Sequence, residues 1–141
     1  HMGFSPVVPA TGKHVLGQMQ RSRKIIADHD LDFYASFTIG GRFCNNVNML
    51  MYDRDNQAQV DGIKKLFNAL IADAAAAGYA EYRTHIGWMD PISDTFNFNN
   101  HALRRMNEKV KDALDPNGIL SPGKQGIWPT AYAGQRGKDL G

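Results

Sequence analysis

An α+β fold, an antiparallel sheet with helices on one face, is what this sequence predicts. Three observations carry the prediction. Residues 31–39 and 47–52 alternate apolar and polar side chains with the period of a strand. Val60, Ile63, Leu66, Phe67, Leu70, Ile71 and Ala74 recur with the period of a helix. The elements also follow one another as strand, helix, strand, strand, helix, strand.

Phe4 to Val8 is a short extended run closed by Pro9, and reads as the first strand. Thr11 can cap the helix that follows through its hydroxyl, with Val15, Leu16, Met19 and Ile26 on its apolar side up to His29-Asp30. From Leu31 to Ile39, Phe33, Ala35, Phe37 and Ile39 share one strand face, and Tyr34, Ser36 and Thr38 the other. Gly40-Gly41 supplies the flexible backbone of a reversal. Val47, Met49 and Met51 then alternate with Asn48, Leu50 and Tyr52. Asn56 stands where the long helix needs a cap, Gly78 where that helix needs a left-handed stop. Tyr79 to Ile86 reads as extended. The order over residues 4–86 is that of the split βαβ, or ferredoxin-like, arrangement.

The remainder adds to this pattern without repeating it. Trp88 to Asn100 is rich in Asp, Asn and aromatic residues and reads as irregular. A third helix is expected from about His101 to Leu114, burying Leu103, Met106, Val110 and Leu114. Asp115-Pro116-Asn117-Gly118 ends it, since Pro cannot continue a helix and Asn-Gly favours a turn. Thr130 to Gly141 reads as an extended tail that needs a neighbouring surface to order it.

Composition narrows the functional classes. With 141 residues, 43% of them hydrophobic, the chain can bury a core of one domain or of part of a larger one. Sixteen basic and 14 acidic residues leave a net charge of +2 with no basic stripe, which argues against nucleic acid and acidic membrane as partners. No segment is long and apolar enough to span a bilayer. The lone Cys44 has no disulfide partner in the chain and reads as a small buried filler. Compartment stays open. The five histidines show no metal-ligand spacing, and no phosphate loop or dinucleotide fingerprint occurs. His1-Met2-Gly3 is an unusual natural start, read either as a cloning remnant or as a cut into a longer chain.

Two segments carry candidate chemistry. Glu81-Tyr82-Arg83-Thr84-His85 is a dense polar group on an expected, partly buried strand. A phenolic donor beside a guanidinium fork can hold an anionic oxygen, although an edge strand with a surface ion pair explains the same residues. Asp115 to Pro129, DPNGILSPGKQGIWP, is a loop shaped by Gly and Pro. Ile119-Leu120 and Ile127-Trp128 are expected to anchor it and Lys124 to project from a Pro-Gly turn; an ordinary connector would look similar.

EYRTH, the stretch around Phe98-Asn99-Asn100 and DPNGILSPGKQGIWP together resemble the C-terminal region of the vanillyl-alcohol oxidase and para-cresol methylhydroxylase (4-cresol dehydrogenase) flavoprotein family, from about Phe4 to Pro129. That resemblance implies FAD as cofactor, a para-substituted phenol as substrate, and an N-terminal FAD-binding domain outside these residues. It implies that residues 1–79 form part of a substrate-covering cap and 80–141 a segment returning to the FAD domain. It assigns Tyr82 and Arg83 to the phenol oxygen, Arg83 also to the flavin edge, and Lys124 to an FAD contact. Asn45-Asn46 fall where the fungal oxidase carries a His pair, and are read either as pocket lining or as polar residues beside a strand turn. His85 could orient Tyr82 or Arg83, or be a core histidine. His1 falls near the family's covalent flavin anchor, and is either that anchor or vector-derived. A homo-oligomer and a cytochrome or oxygen acceptor are also implied. On this reading the chain is part of an enzyme and inactive by itself; the competing reading is a non-catalytic ferredoxin-like binding or assembly module.

Overall fold

The computed structural model describes residues 1–138. The chain forms two compact units, His1–Tyr82 and Arg83–Gly141. Of the expected tail, residues 139–141 lie outside the described residues.

The first unit holds β1 (Met2–Phe4), β2 (Pro6–Pro9), α1 (Gly12–Ala27), β3 (Ala35–Ile39), β4 (Phe43–Leu50), α2 (Gln57–Ala76) and β5 (Ala80–Glu81). β4 lies inside the sheet. β3 pairs with one of its edges, β1 and β2 with the other, and β5 with β2, every pair antiparallel. β1 and β2 keep one register against β4, Phe4 opposite Asn48 and Val7 opposite Asn45. They are therefore one strand interrupted at Ser5, and the sheet has the strand order of the ferredoxin-like arrangement.

α2 follows its sequence pattern closely. Asn56 Oδ1 accepts from the amides of Ala58 and Gln59 at 3.1 and 3.3 Å, and Gly78 takes the left-handed conformation after the helix. Ile63, Leu66, Phe67, Leu70, Ile71 and Ala74 are buried, whereas Val60 is only half-buried. Phe67 and Phe4 of the sheet meet in a T-shaped pair, ring centroids 5.8 Å apart. α1 packs beside α2, joined by Arg21 to Asp73 at 2.9 Å. The side chain of Thr11 makes no cap hydrogen bond. The buried residues of α1 are Gln18, Ser22 and Ile26, while Leu16 is half-exposed. Gln18 and Ser22 tolerate this because they bond each other, and Gln18 also accepts from Arg21.

Strand limits differ from those expected. β3 begins at Ala35 rather than Leu31, and β4 begins at Phe43 and ends at Leu50. Backbone pairing sets these limits, because Cys44, Asn45 and Asn46 find partners in both β2 and β3 or in β3 alone. The larger correction concerns residues 79–86. Only Ala80 and Glu81 are strand; Tyr82 and Arg83 bend, and Ile86–Trp88 is a 3-10 turn.

The second unit contains α3 (Met89–Thr95) and α4 (Phe98–Leu114), then 3-10 turns at Lys124–Gly126 and Thr130–Gln135. Trp88–Asn100 is thus largely helical, with Pro91 in the first turn of α3, where a helix needs no backbone donor. Asn99, Asn100 and His101 have left-handed dihedrals, so the regular part of α4 starts after them. Leu103, Met106, Val110 and Leu114 are all at least half-exposed instead of buried. Over its described residues, 130–138, the tail forms a 3-10 turn rather than an extended segment. Arg136 binds Asp90, Asp94 and the carbonyl of Gly126.

Candidate functional site

β5 ends at a buried carboxylate. Glu81 is 2% exposed, and its Oε1 accepts the backbone N–H of Ser5 at 2.7 Å. Tyr82 follows, 50% exposed, as the last residue of the first unit; the exposed Arg83 opens the second. The expected partly buried polar strand is therefore wrong in extent. Only its first residue is buried and paired in the sheet. His85 is exposed as well. Its Nδ1 accepts from the amide of Gly87 at 3.2 Å, capping the 3-10 turn, and its ring meets Trp88 edge-on. His85 is thus a cap, not a core histidine.

Asn45 and Asn46 are neighbours on β4, so their side chains leave the sheet on opposite faces. Phe4 stands opposite Asn48 and packs on α2, which puts Asn48 and Asn46 on the helix-covered face. Both are fully buried. Asn48 Nδ2 reaches the carbonyls of Phe4 and Asn46 and the Asn46 Oδ1 at 3.1–3.2 Å. Asn45 lies on the other face with its register partners Val7 and Thr38. It is 7% exposed, and its Oδ1 has no hydrogen-bond donor among the described residues. Cys44 is buried, and burial pushes its thiol pKa up, as expected of a filler rather than a nucleophile.

Lys124 projects from a rigid turn. Gly123 and Gly126 both have positive φ, and a Cβ on either would meet the Trp128 ring or Ser93 within 2.5 Å. Trp128 is buried with its Nε1 donating to Asp90 Oδ1 at 2.8 Å, and Arg136 donates to the Gly126 carbonyl. The exposed Lys124 side chain therefore starts from a fixed backbone. Ile119 and Leu120, expected as anchors, are exposed. Their place is taken by Asp115, whose carboxylate accepts the amides of Ile119 and Leu120 at 2.9 and 2.8 Å. The hydrogen bond from Lys111, at 2.5 Å, and those two amides hold its pKa low.

His1 is exposed and precedes β1. Among the described residues no cluster of three or more His, Cys, Asp or Glu could hold a metal, and no helix is long and apolar enough to cross a membrane. What the chain offers a flavin dinucleotide is partial but suitable: a lysine on a glycine turn and an arginine on a bend, both exposed, suit an anionic ring or phosphate edge. Sequence reasoning missed Glu81, Asp90, Asp115 and Arg136 as organising residues. The Asp-Pro-Asn-Gly run marks Asp115 as a turn residue, but nothing local marks the other three.

The chain belongs to the family of FAD linked oxidases, C-terminal domain, which matches residues 6–125. Its cofactor is accordingly FAD. The chain is 30% identical over 126 residues to the 4-cresol dehydrogenase [hydroxylating] flavoprotein subunit of Pseudomonas putida, covering 89% of this chain and 24% of that protein. It is 29% identical over 132 residues to the 1'-carboxy-chondrochloren decarboxylase of Chondromyces crocatus, covering 91% of this chain and 24% of that protein. Among solved structures it superposes on 4-ethylphenol oxidase from Gulosibacter chungangensis in complex with isoeugenol, with a TM-score of 0.88 and 38% identity over 92% of this chain and 25% of the other. On p-cresol methylhydroxylase with substrate bound the TM-score is 0.84, with 30% identity over 90% and 24%. The chain thus spans about a quarter of the length of these relatives.

Proposed function

We propose that this chain is the C-terminal portion of a flavoprotein that oxidises para-substituted phenols at the benzylic carbon. The observation that carries this reading is the Tyr82-Arg83 pair, exposed directly after a pinned strand end, in a chain of the FAD-linked oxidase family. A free phenol titrates near pH 10, about three units above neutrality. A guanidinium beside the phenol oxygen favours the phenolate, and the Tyr82 hydroxyl can donate a hydrogen bond to it. Electron density then moves toward the benzylic carbon and assists loss of hydride; water adds afterwards to the quinone methide. FAD, when bound, supplies the hydride acceptor.

Arg83 and Lys124 are the residues of this chain proposed to face FAD, each lending positive charge where the reduced ring or a phosphate is negative. His1 is kept as a candidate covalent anchor. Each asparagine has one buried side-chain atom without a hydrogen-bond partner among the described residues, Asn45 Oδ1 and Asn46 Nδ2; Asn45 is the better pocket candidate because it lies on the face that Phe67 does not cover, while Asn46 lies under the helices. The substrate is proposed to be a para-substituted phenol, the class in the names of the similar 4-cresol dehydrogenase, 4-ethylphenol oxidase and p-cresol methylhydroxylase. A homo-oligomer and a cytochrome or oxygen as electron acceptor complete the reading.

Residues 1–79 are proposed to be part of the cap and 80–141 the segment that docks on the FAD-binding domain. The apolar stripe on α4 supports the second assignment, since Leu103, Met106, Val110 and Leu114 have the spacing of a buried face and are at least half-exposed among the described residues. On this reading the chain by itself is not the catalyst. A free ferredoxin-like module would explain the first unit, but not a family match that continues through residue 125.

Arg83→Ala in the full-length flavoprotein tests the reading. Flavin reduction by 4-cresol is expected to slow roughly a hundredfold, the effect of about 3 kcal/mol of lost charge stabilisation. Arg83→Lys recovers part of it, because a point charge does not reproduce the fork. Bound phenolic inhibitors lose the absorption band of the phenolate. Parental reduction rates with phenolate still bound would remove Arg83 from the reaction.

A further inference from the structure

The register of β5 contains a device that the motif alone does not reveal. Pro6 pairs with Glu81 and Val7 with Ala80, so the next rung of the ladder would pair Ser5 with Tyr82. That rung does not form: β5 stops at Glu81, and Tyr82 bends away. Pro6 has no N–H to give. The Ser5 N–H, which a further rung could have used, is donated at 2.7 Å to the side-chain carboxylate of Glu81. Both residues are buried, Ser5 at 4% and Glu81 at 2% exposure. A buried amide needs an acceptor, and Glu81 provides one from its side chain rather than its backbone. The strand is thereby ended one residue before Tyr82.

From this we infer that Glu81 is a positioning residue for Tyr82: its carboxylate occupies the Ser5 amide and so releases the Tyr82 backbone from the sheet. The inference rests on the proposed role of Tyr82 at the phenol oxygen. Removing the carboxylate leaves the buried Ser5 N–H to seek the Tyr82 carbonyl. That extends β5 by one rung and turns the Tyr82 side chain to a position set by the pleat. A neutral amide oxygen can accept the same N–H, so the acceptor can be kept while the carboxylate is removed.

Three substitutions in the full-length, FAD-loaded protein separate the possibilities. Glu81→Ala is expected to slow flavin reduction by 4-cresol about tenfold, the effect of one misplaced hydrogen-bonding group. Glu81→Gln is expected to stay within about twofold of the parent, since it restores the acceptor. In a Tyr82→Phe background, Glu81→Ala should add less than about twofold, because the group it positions is already gone. Hydrogen exchange supplies a readout independent of turnover: in Glu81→Ala the Ser5 amide stays protected and the Tyr82 backbone gains protection as the new rung forms. The inference is overturned if Tyr82→Phe is slow while Glu81→Ala keeps the parental rate. It is equally overturned if Glu81→Ala costs the same with and without the Tyr82 hydroxyl, which marks a purely structural effect. Should Tyr82→Phe reduce its flavin at the parental rate, the reading of Tyr82 itself falls, and the positioning role with it. If Glu81→Ala does not fold, Glu81→Leu, which fills the buried volume without an acceptor, carries the same expectations.

Discussion

α2 and α4 carry similar apolar stripes and use them differently. On α2, Phe67, Leu66 and Leu70 are buried against the sheet of the same unit. On α4, no residue is buried, and Leu114 is 78% exposed. The first unit is held mainly by an apolar core, Phe4, Val8, Ile26, Leu50 and the buried face of α2, with Gln18, Ser22, Asn46 and Asn48 buried among it. The second buries a smaller apolar set, Met89, Ile92 and Trp128, and adds polar clasps: Asp90 with Trp128, Gly137 and Arg136, Asp112 with Thr130, and Asp115 with Lys111 and two backbone amides. An amphipathic helix thus tells which of its sides is meant to be covered, and says nothing of whether the cover lies in the same unit.

The comparison predicts unequal responses to perturbation. Phe67→Ala removes the ring that Phe4 packs against and should cost about 3–5 kcal/mol, read as a lower midpoint of chemical denaturation. A loss below about 1 kcal/mol would mean that the first unit does not depend on this core.

Acid should act on the second unit first. Asp112 is held below the ordinary carboxylate pKa by the Thr130 hydroxyl and amide, and Asp115 by Lys111 and the Ile119 and Leu120 amides. Both folded values are depressed, so the stability they contribute is present above the unfolded pKa near 4 and is lost as pH falls through the folded values. Protection of the Ile119, Leu120 and Thr130 amides, measured against the free-peptide exchange rate at the same pH, should therefore fall below about pH 4, while the amides of α2 remain protected. Simultaneous loss in both units would contradict the division.

The smallest effect is expected from Val110→Asp. Val110 is half-exposed, so the 141-residue chain should change stability by less than about 0.5 kcal/mol. The full-length protein should respond more strongly, because the charge would lie in the proposed docking surface; its FAD retention and thermal midpoint measure this. Equal, negligible effects in both would leave the α4 stripe uncovered in the full-length protein too.

Legibility of the site followed the same division. Tyr82, Arg83 and Lys124 stood out by residue type within recognisable motifs. Their settings did not, since Glu81 is paired with an amide 76 positions away and the turn below Lys124 depends on Trp128, Ser93 and Arg136. The Asn45-Asn46 pair shows the same limit. Two adjacent asparagines suggest one pocket until the strand through them is known to be extended, and then they belong to opposite faces.

By itself the sequence determined the local elements of the first unit: the α2 face, its Asn56 cap, its Gly78 stop and the order of strands and helices. These follow from short-range periodicity and from single-residue backbone preferences, which are written within a few positions. Only the tertiary structure decided where β5 stops, which asparagine lies on the helix-covered face, and that the α4 stripe stays exposed among the described residues. Strand pairing and burial depend on groups distant in the chain, so no local pattern can specify them.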